Sequence, residues 1–168
     1  SGTMGKLLWL RGVYGKAGSI DYDKNWRNYK QYSGGGILID QGIHMLDLMR
    51  YFSKETFNNV NSFVTTSYWD IKSEDNAFAI MQSDNKVTAM LHSSATQWKH
   101  KFLLEMCFEE GYVNLDGILS GTRSYSPEKL VVGRREFEDI TFAMGKPKEN
   151  TTWFENDDSW KLEVKEFI

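Results

Sequence analysis

One cysteine, Cys107, stands in 168 residues. A lone thiol closes no internal disulfide, so a stapled secreted scaffold is excluded and nothing points to an oxidising compartment. No stretch approaches the roughly 18 to 20 uncharged apolar residues that cross a bilayer, and the apolar run in the opening SGTMGKLLWL is too short for a secretory h-region. Basic excess is missing too, since 20 Lys and Arg face 23 Asp and Glu for a net charge of −3. Polyanion binders need positive surface to displace counterions from phosphates, so nucleic acid is disfavoured as a partner. The expectation is a soluble, cytoplasmic protein that contacts neither membrane nor nucleic acid. There is no repeat period and no dinucleotide fingerprint: Gly12, Gly15 and Gly18, like Gly34, Gly35 and Gly36, do not form G-x-G-x-x-G after a strand.

What is present suits one globular domain. The chain is 40% hydrophobic, 26% charged and 14% aromatic, and the aromatic share fits a sheet interface or a cleft for flat or sugar-like ligands. KLLWLRGVY at 6–14 predicts a strand. The loop 15–36 lacks apolar periodicity but carries Tyr22, Trp26, Tyr29 and Tyr32, which predicts a packed loop covering something. Ser33 offers an N-cap hydroxyl before ILIDQGIHMLDLMRYF, whose spacing predicts a helix over 37–52. Alternation then predicts strands at 59–69, 75–83 and 86–98, a hairpin over 100–117, and short strands at 129–133 and 136–142. Helical spacing returns from about Asp157, and its apolar end at Ile168 suggests that the natural chain continues. Consecutive hairpins with helices on one face make the class α+β, with a large open, mostly antiparallel sheet.

Asp40, His44 and Asp47 are the sharpest chemical grouping, spaced four and then three apart so that a regular helix puts them on one face. An imidazole beside a carboxylate supports proton transfer near neutral pH. The same spacing also suits a surface salt bridge, or two ligands of a metal site, although no third His or Cys has fitting spacing and no metal is expected. Ile39, Ile43, Leu46 and Arg50 would face the sheet in part. The amides of Gly34 to Gly36 could meet an anionic ligand group at the helix start. Arg123 is a weaker candidate for gripping a carboxylate or phosphate, and Cys107 reads as a buried, inert thiol.

The segment GGGILIDQGIHMLDLMRYF resembles the signature of the glucose-fructose oxidoreductase, inositol dehydrogenase and rhizopine-catabolism (Gfo/Idh/MocA) family. The likeness extends through KLLWLRGVYG, EDNAFAI, LHSSATQWKHKF and GYVNLDGILSGTRSY, roughly residues 5–126. The resemblance implies the family's C-terminal α+β domain without its Rossmann domain, so residues 1–168 read as a single substrate-binding and oligomerisation domain of a longer chain. It implies an NAD(P)-dependent dehydrogenase acting on a sugar, inositol or nucleotide-sugar hydroxyl. NAD or NADP would be bound mainly by the absent domain, with none held by this fragment, which alone would not turn over. In G-G-x-x-x-D-x-G-x-H the family's acid/base histidine falls on His44 and its assisting aspartate on Asp40. The family's Glu-Lys-Pro lysine has no counterpart, because Pro127-Glu128-Lys129 has the wrong order and Gly145-Lys146-Pro147 lacks the acid. Tyr14, Tyr22 and Trp26 are expected to line the substrate cleft, since aromatic faces suit pyranose rings. Self-association into a dimer or tetramer through the sheet is implied as well. The competing expectations are a stand-alone sheet-mediated binding module and a metal-dependent hydrolase using Asp40 and His44.

Overall fold

Period-two sequence builds most of this protein. The computed structural model describes residues 3–120, 122–137 and 145–167. Strands β1 (Leu7–Gly15), β2 (Phe57–Thr65), β3 (Asn76–Ser83), β4 (Thr88–Ser94), β5 (Lys101–Phe108), β6 (Gly111–Asp116), β7 (Glu128–Arg134) and β8 (Glu149–Phe154) form one sheet. Their order is β2-β3-β4-β1-β5-β6-β7-β8. Every neighbouring pair is antiparallel except β1 and β4, which run parallel. The α+β class and the open, mostly antiparallel sheet are therefore as the sequence indicates. β8 was not expected, and the predicted strand at 136–142 falls largely outside the described residues.

The alternation sorts the two faces. Leu10, Ala77, Met81, Ala89, Leu91, Leu104 and Met106 point to one side and are buried there beneath Met45 and Met49 of helix α2 (Ile43–Ser53). Burying a side chain of this size contributes about 1.5 to 3 kcal/mol, and the four flexible methionines let helix and sheet fit closely. Gly12 lies under the same helix, where an added Cβ would run into Met45 and Met49. The other face shows Phe63, Phe78, Ile80 and Met90 to solvent, each more than two-fifths exposed. Helix α3 (Ser159–Phe167) begins near the predicted position. Cys107 is partly buried rather than buried.

The helix over 37–52 forms, but not as one regular α-helix. Residues Leu38–Gly42 make a π-turn, in which the Ile43 amide reaches back to the Leu38 carbonyl, before α2 continues to Ser53. The extra residue in that turn rotates the residues on its N-terminal side relative to those of α2. The buried positions are consequently Ile37, Gln41, Met45 and Met49; of the expected stripe, Leu46 is half-buried against the core, whereas Ile39, Ile43 and Arg50 are exposed.

The long loop is ordered by three single turns: two 3-10 turns at Tyr22–Lys24 and Trp26–Asn28, and α1 (Lys30–Ser33). It does cover something, because Tyr22 joins Ile37 and Ala95 in a second small core against Trp69 and Ile71. Ser33 ends α1 instead of capping the next helix, and its hydroxyl donates to the carbonyls of Tyr29 and Gly35. Gly34 comes next at φ +81°, the left-handed conformation that closes α1.

Candidate functional site

The first turn of the long helix is capped from a distance. The Glu74 carboxylate accepts from the amides of Gly36 at 3.0 Å and Leu38 at 3.1 Å, and the Glu74 carbonyl accepts from Ile37 at 3.1 Å. Of the three amides named as a possible anion site, that of Gly36 is taken by Glu74 and that of Gly34 donates to the Lys30 carbonyl at 2.8 Å, so the expectation that Gly34 to Gly36 face a ligand group is corrected for those two. Gly36 must be glycine, because a Cβ there would lie 2.9 Å from Glu74 Cδ and closer still to the Glu74 carbonyl. Next to Glu74, Asp75 is fully buried. Its oxygens accept from the amides of Ser67 and Tyr68 at 2.8 Å, from Trp69 at 3.1 Å, and from the Asn76 side chain at 3.0 Å. Burial opposes ionisation of Asp75, but these four donors together hold its carboxyl below the ordinary value. This nest fixes the 66–75 loop and so the position of Glu74.

On that support sits a cleft of about 270 Å³, whose lining includes Trp26, Arg27, Tyr32, Ile39, Asp40 and His44. Asp40 is about one-fifth exposed and spends both its oxygens on cations. Lys16 Nζ binds Oδ2, and Arg27 Nε lies 3.5 Å from Oδ1. Arg27 is itself held 4.6 Å over the Trp26 ring, and the Lys16 backbone is pinned at the end of β1 by its amide donating to the Ser94 carbonyl at 2.7 Å. His44 is exposed at the cleft wall, and its ring lies 6.4 Å from that of Tyr14. The pairing of carboxylate and imidazole suggested by the spacing is thus replaced by a carboxylate bracketed by two cations, with the imidazole open to a ligand. Asp47 is exposed and does not line the cleft.

Behind His44 lies a group of rings. Tyr14 packs edge-on to Phe102 at 5.3 Å and to Tyr125 at 5.9 Å. The Tyr125 hydroxyl also reaches Gln41 Oε1 at 3.4 Å, and His100 stands edge-on to Tyr125 at 4.9 Å. Burial first, then the neighbouring Tyr14, pushes the Tyr125 phenol well above its ordinary range. Tyr14 also rises through burial, although the neighbouring Tyr125 phenol opposes this. Both phenols stay protonated at neutral pH and serve as hydrogen-bonding groups, not as bases. His100 is shifted down by burial and then by the charge of Lys16, which favours its neutral form.

Of the residues singled out from sequence, Trp26, Asp40 and His44 share the cleft, and Tyr14 backs it. Tyr22 does not line it: it is buried against Trp69, with rings 4.8 Å apart, and burial pushes its phenol up to about 12. Arg123 lines a separate groove that also includes Tyr125. Lys16, Arg27 and Glu74 were not foreseen, since each meets its partner across a loop or between elements.

Residues 1–114 match the family described as the GFO/IDH/MocA C-terminal domain. Over 67 residues the chain is 36% identical to a levoglucosan dehydrogenase of Pseudarthrobacter phenanthrenivorans, covering 39% of this chain and 17% of that enzyme. The fold is shared with a solved levoglucosan dehydrogenase in complex with NADH and levoglucosan, at TM-score 0.67 and 20% identity over 91% of this chain and 41% of that one. It is shared likewise with a UDP-N-acetylglucosamine 3-dehydrogenase from Acidithiobacillus ferrooxidans, at TM-score 0.69 and 16% identity over 98% of this chain and 46% of that one. The chain therefore spans less than half the length of each of these solved relatives.

Proposed function

Because the chain belongs to the GFO/IDH/MocA family through that C-terminal domain, we propose that it is the substrate-binding half of an NAD(P)-dependent oxidoreductase acting on a sugar or nucleotide-sugar hydroxyl. Its described and sequence-visible parts offer no pyrophosphate cradle: the dinucleotide fingerprint is missing, and the amides at the helix start are taken by Glu74. NAD(P) would belong to a domain outside this chain and would supply the hydride chemistry from there. The structural relative holding NADH and levoglucosan supports both the cofactor class and the sugar.

The observation that carries this reading is His44, exposed on the wall of a cleft sized for one sugar ring. In the proposed role its imidazole takes the hydroxyl proton as the carbon is oxidised and returns it on reduction. Asp40 is a positioning residue: it holds Lys16 and Arg27, whose remaining donors face sugar oxygens, while Trp26 offers its ring to the apolar face of the sugar. The exposed sheet face around Phe63, Phe78, Ile80 and Met90 is assigned to self-association, and residues 1–168 to one substrate and oligomerisation domain.

The test is steady-state kinetics of the whole protein with His44 replaced by Ala, against a panel of sugars with NAD or NADP. Turnover should fall by about 10²- to 10⁴-fold, the usual contribution of a general acid or base. Unchanged kinetics would overturn the assignment.

A further inference from the structure

The His44 cleft continues into a second depression. This groove, of about 400 Å³, has a lining that includes Lys30, Thr65, Thr66, Lys72, Ser73 and Glu74. Gly35 and Ile39 line both the cleft and the groove, so the two share a wall.

At that wall one amide is left over. Gly34 donates to the Lys30 carbonyl and Gly36 to Glu74, but the Gly35 N–H meets no acceptor among the described residues, although Gly35 is buried. Buried backbone donors are seldom left unpaired, because an unpaired one costs about as much as a lost hydrogen bond. Lys30 and Lys72 add two exposed ammonium groups, and neither joins an ion pair among the described residues. The hydroxyls of the groove are spent within the chain. Thr66 Oγ1 donates to the Ser73 carbonyl at 2.8 Å, Ser73 Oγ donates to the Asn28 carbonyl at 3.1 Å, and Thr65 Oγ1 shares a hydrogen bond with Ser67 Oγ at 2.8 Å. Glu74 is the one acid among the described lining residues, and its Oε1 is turned to the amides of Gly36 and Leu38.

What remains offers donors only, so its complement is an anion that only accepts. A phosphate monoester carries a charge of about −1.5 to −2 at pH 7 and three terminal oxygens, one for each donor. A sugar carboxylate brings a single charge and two oxygens, which leaves one ammonium group without a counter-charge. A neutral sugar leaves both without one. We propose that the groove is the subsite for a phosphate ester borne by the substrate sugar. The Gly35 amide, Lys30 and Lys72 take the terminal oxygens, and the sugar ring lies across the shared wall at His44. The assignment rests on the His44 cleft being the sugar-hydroxyl site, and it narrows the substrate to phosphorylated sugars.

Calorimetric titration of the whole protein at fixed ionic strength tests it, with NAD at saturation so that the phosphate sites of the cofactor are filled. The probes are inorganic phosphate, glucose, glucose 1-phosphate and glucose 6-phosphate. Inorganic phosphate should bind, and at least one ester should bind more tightly than both inorganic phosphate and glucose. Replacing both lysines, Lys30→Gln with Lys72→Gln, should weaken the ester by about 10- to 100-fold, the worth of lost charge-assisted contacts, whereas Lys30→Arg with Lys72→Arg should keep most of its affinity. The proposal fails if no ester exceeds glucose, or if the glutamine variant binds phosphate and its esters as the parent does while melting normally. It fails too if phosphate binds only until NAD displaces it, since the groove would then belong to the cofactor. A His44→Ala enzyme with intact turnover would instead remove the oxidoreductase reading, and the titration does not depend on turnover.

Discussion

Removing the Glu74 carboxylate should unsettle both the fold and the cleft, and two variants separate its contributions. Glu74→Ala leaves the Gly36 and Leu38 amides without the oxygen that now accepts from them at 3.0 and 3.1 Å. A buried donor left unpaired costs about 1 to 3 kcal/mol, and Gly36 is buried. Water reaching the outer edge of the turn recovers part of this, so the expected loss is about 2 to 4 kcal/mol for the two amides together. Glu74→Gln keeps a carbonyl oxygen in place and gives up only the favourable meeting of negative charge and helix N-terminus, about 0.3 to 1 kcal/mol. Urea unfolding at neutral pH reads both values as shifts in midpoint at constant slope. The Ala variant should also raise KM, since Asp40 stands at the end of the turn that Glu74 holds, its amide donating to the Gly36 carbonyl at 3.0 Å. Equal losses for Gln and Ala would refute the capping account, and so would losses below about 0.5 kcal/mol for both.

Three further outcomes are expected from the same geometry. Asp75 has a folded pKa lower than its unfolded one, so its contribution is present above the unfolded carboxyl value of about 4 and is lost as pH falls through the folded value; Asp75→Asn should cost about 2 to 3 kcal/mol at pH 7, and urea midpoints measured on either side of that window should show a smaller acid-induced fall in the variant than in the parent. Asp40→Asn releases Lys16 and Arg27 and should raise KM about tenfold, the equivalent of about 1.4 kcal/mol, while shifting the melting point little, because partly exposed ion pairs contribute only about 0 to 1 kcal/mol; an unchanged KM would remove Asp40 from the site. Phe78→Asp places a charge beside Phe63, its cross-strand partner on the exposed face, and light scattering should show the oligomer dissociating with secondary structure intact; a parent protein that is already monomeric would refute the sheet-mediated assembly.

The strands from β1 to β7 were legible because alternation is a local signal, and the helix was legible from its apolar spacing. β8 was not, since ENTTWF runs four polar residues into two aromatics and carries no apolar–polar alternation in its sequence. The parallel seating of β1 beside β4 was hidden for another reason: Trp9 pairs with Thr88 across nearly half the chain, and no local pattern encodes that register. The site divides the same way. Asp40 and His44 stood out because they lie close together in sequence. Their relation did not, because hydrophobic period says nothing about whether a turn closes four or five residues back, and the π-turn changed which groups meet. Lys16 and Glu74 became visible only when the loops closed, 24 residues before Asp40 and 38 residues after Gly36.

Three carboxylates within this small region show how environment divides labour among chemically equivalent groups. Asp75 is sealed off from solvent and saturated by amide donors, so ionisation holds a loop and no ligand can reach it. Glu74 is spent on a helix terminus and gives the first turn a fixed start. Asp40 alone is partly exposed with cationic side-chain partners, and those partners can shift their donors toward an entering oxygen without breaking backbone structure. Responsiveness to a ligand therefore requires the outermost of the three to be held least rigidly. The two inner acids make that tolerable, because the helix carrying Asp40 and His44 stays anchored whether or not Lys16 and Arg27 are engaged. Substituting Asp40 should accordingly be felt in binding before stability, and substituting Asp75 in stability before binding.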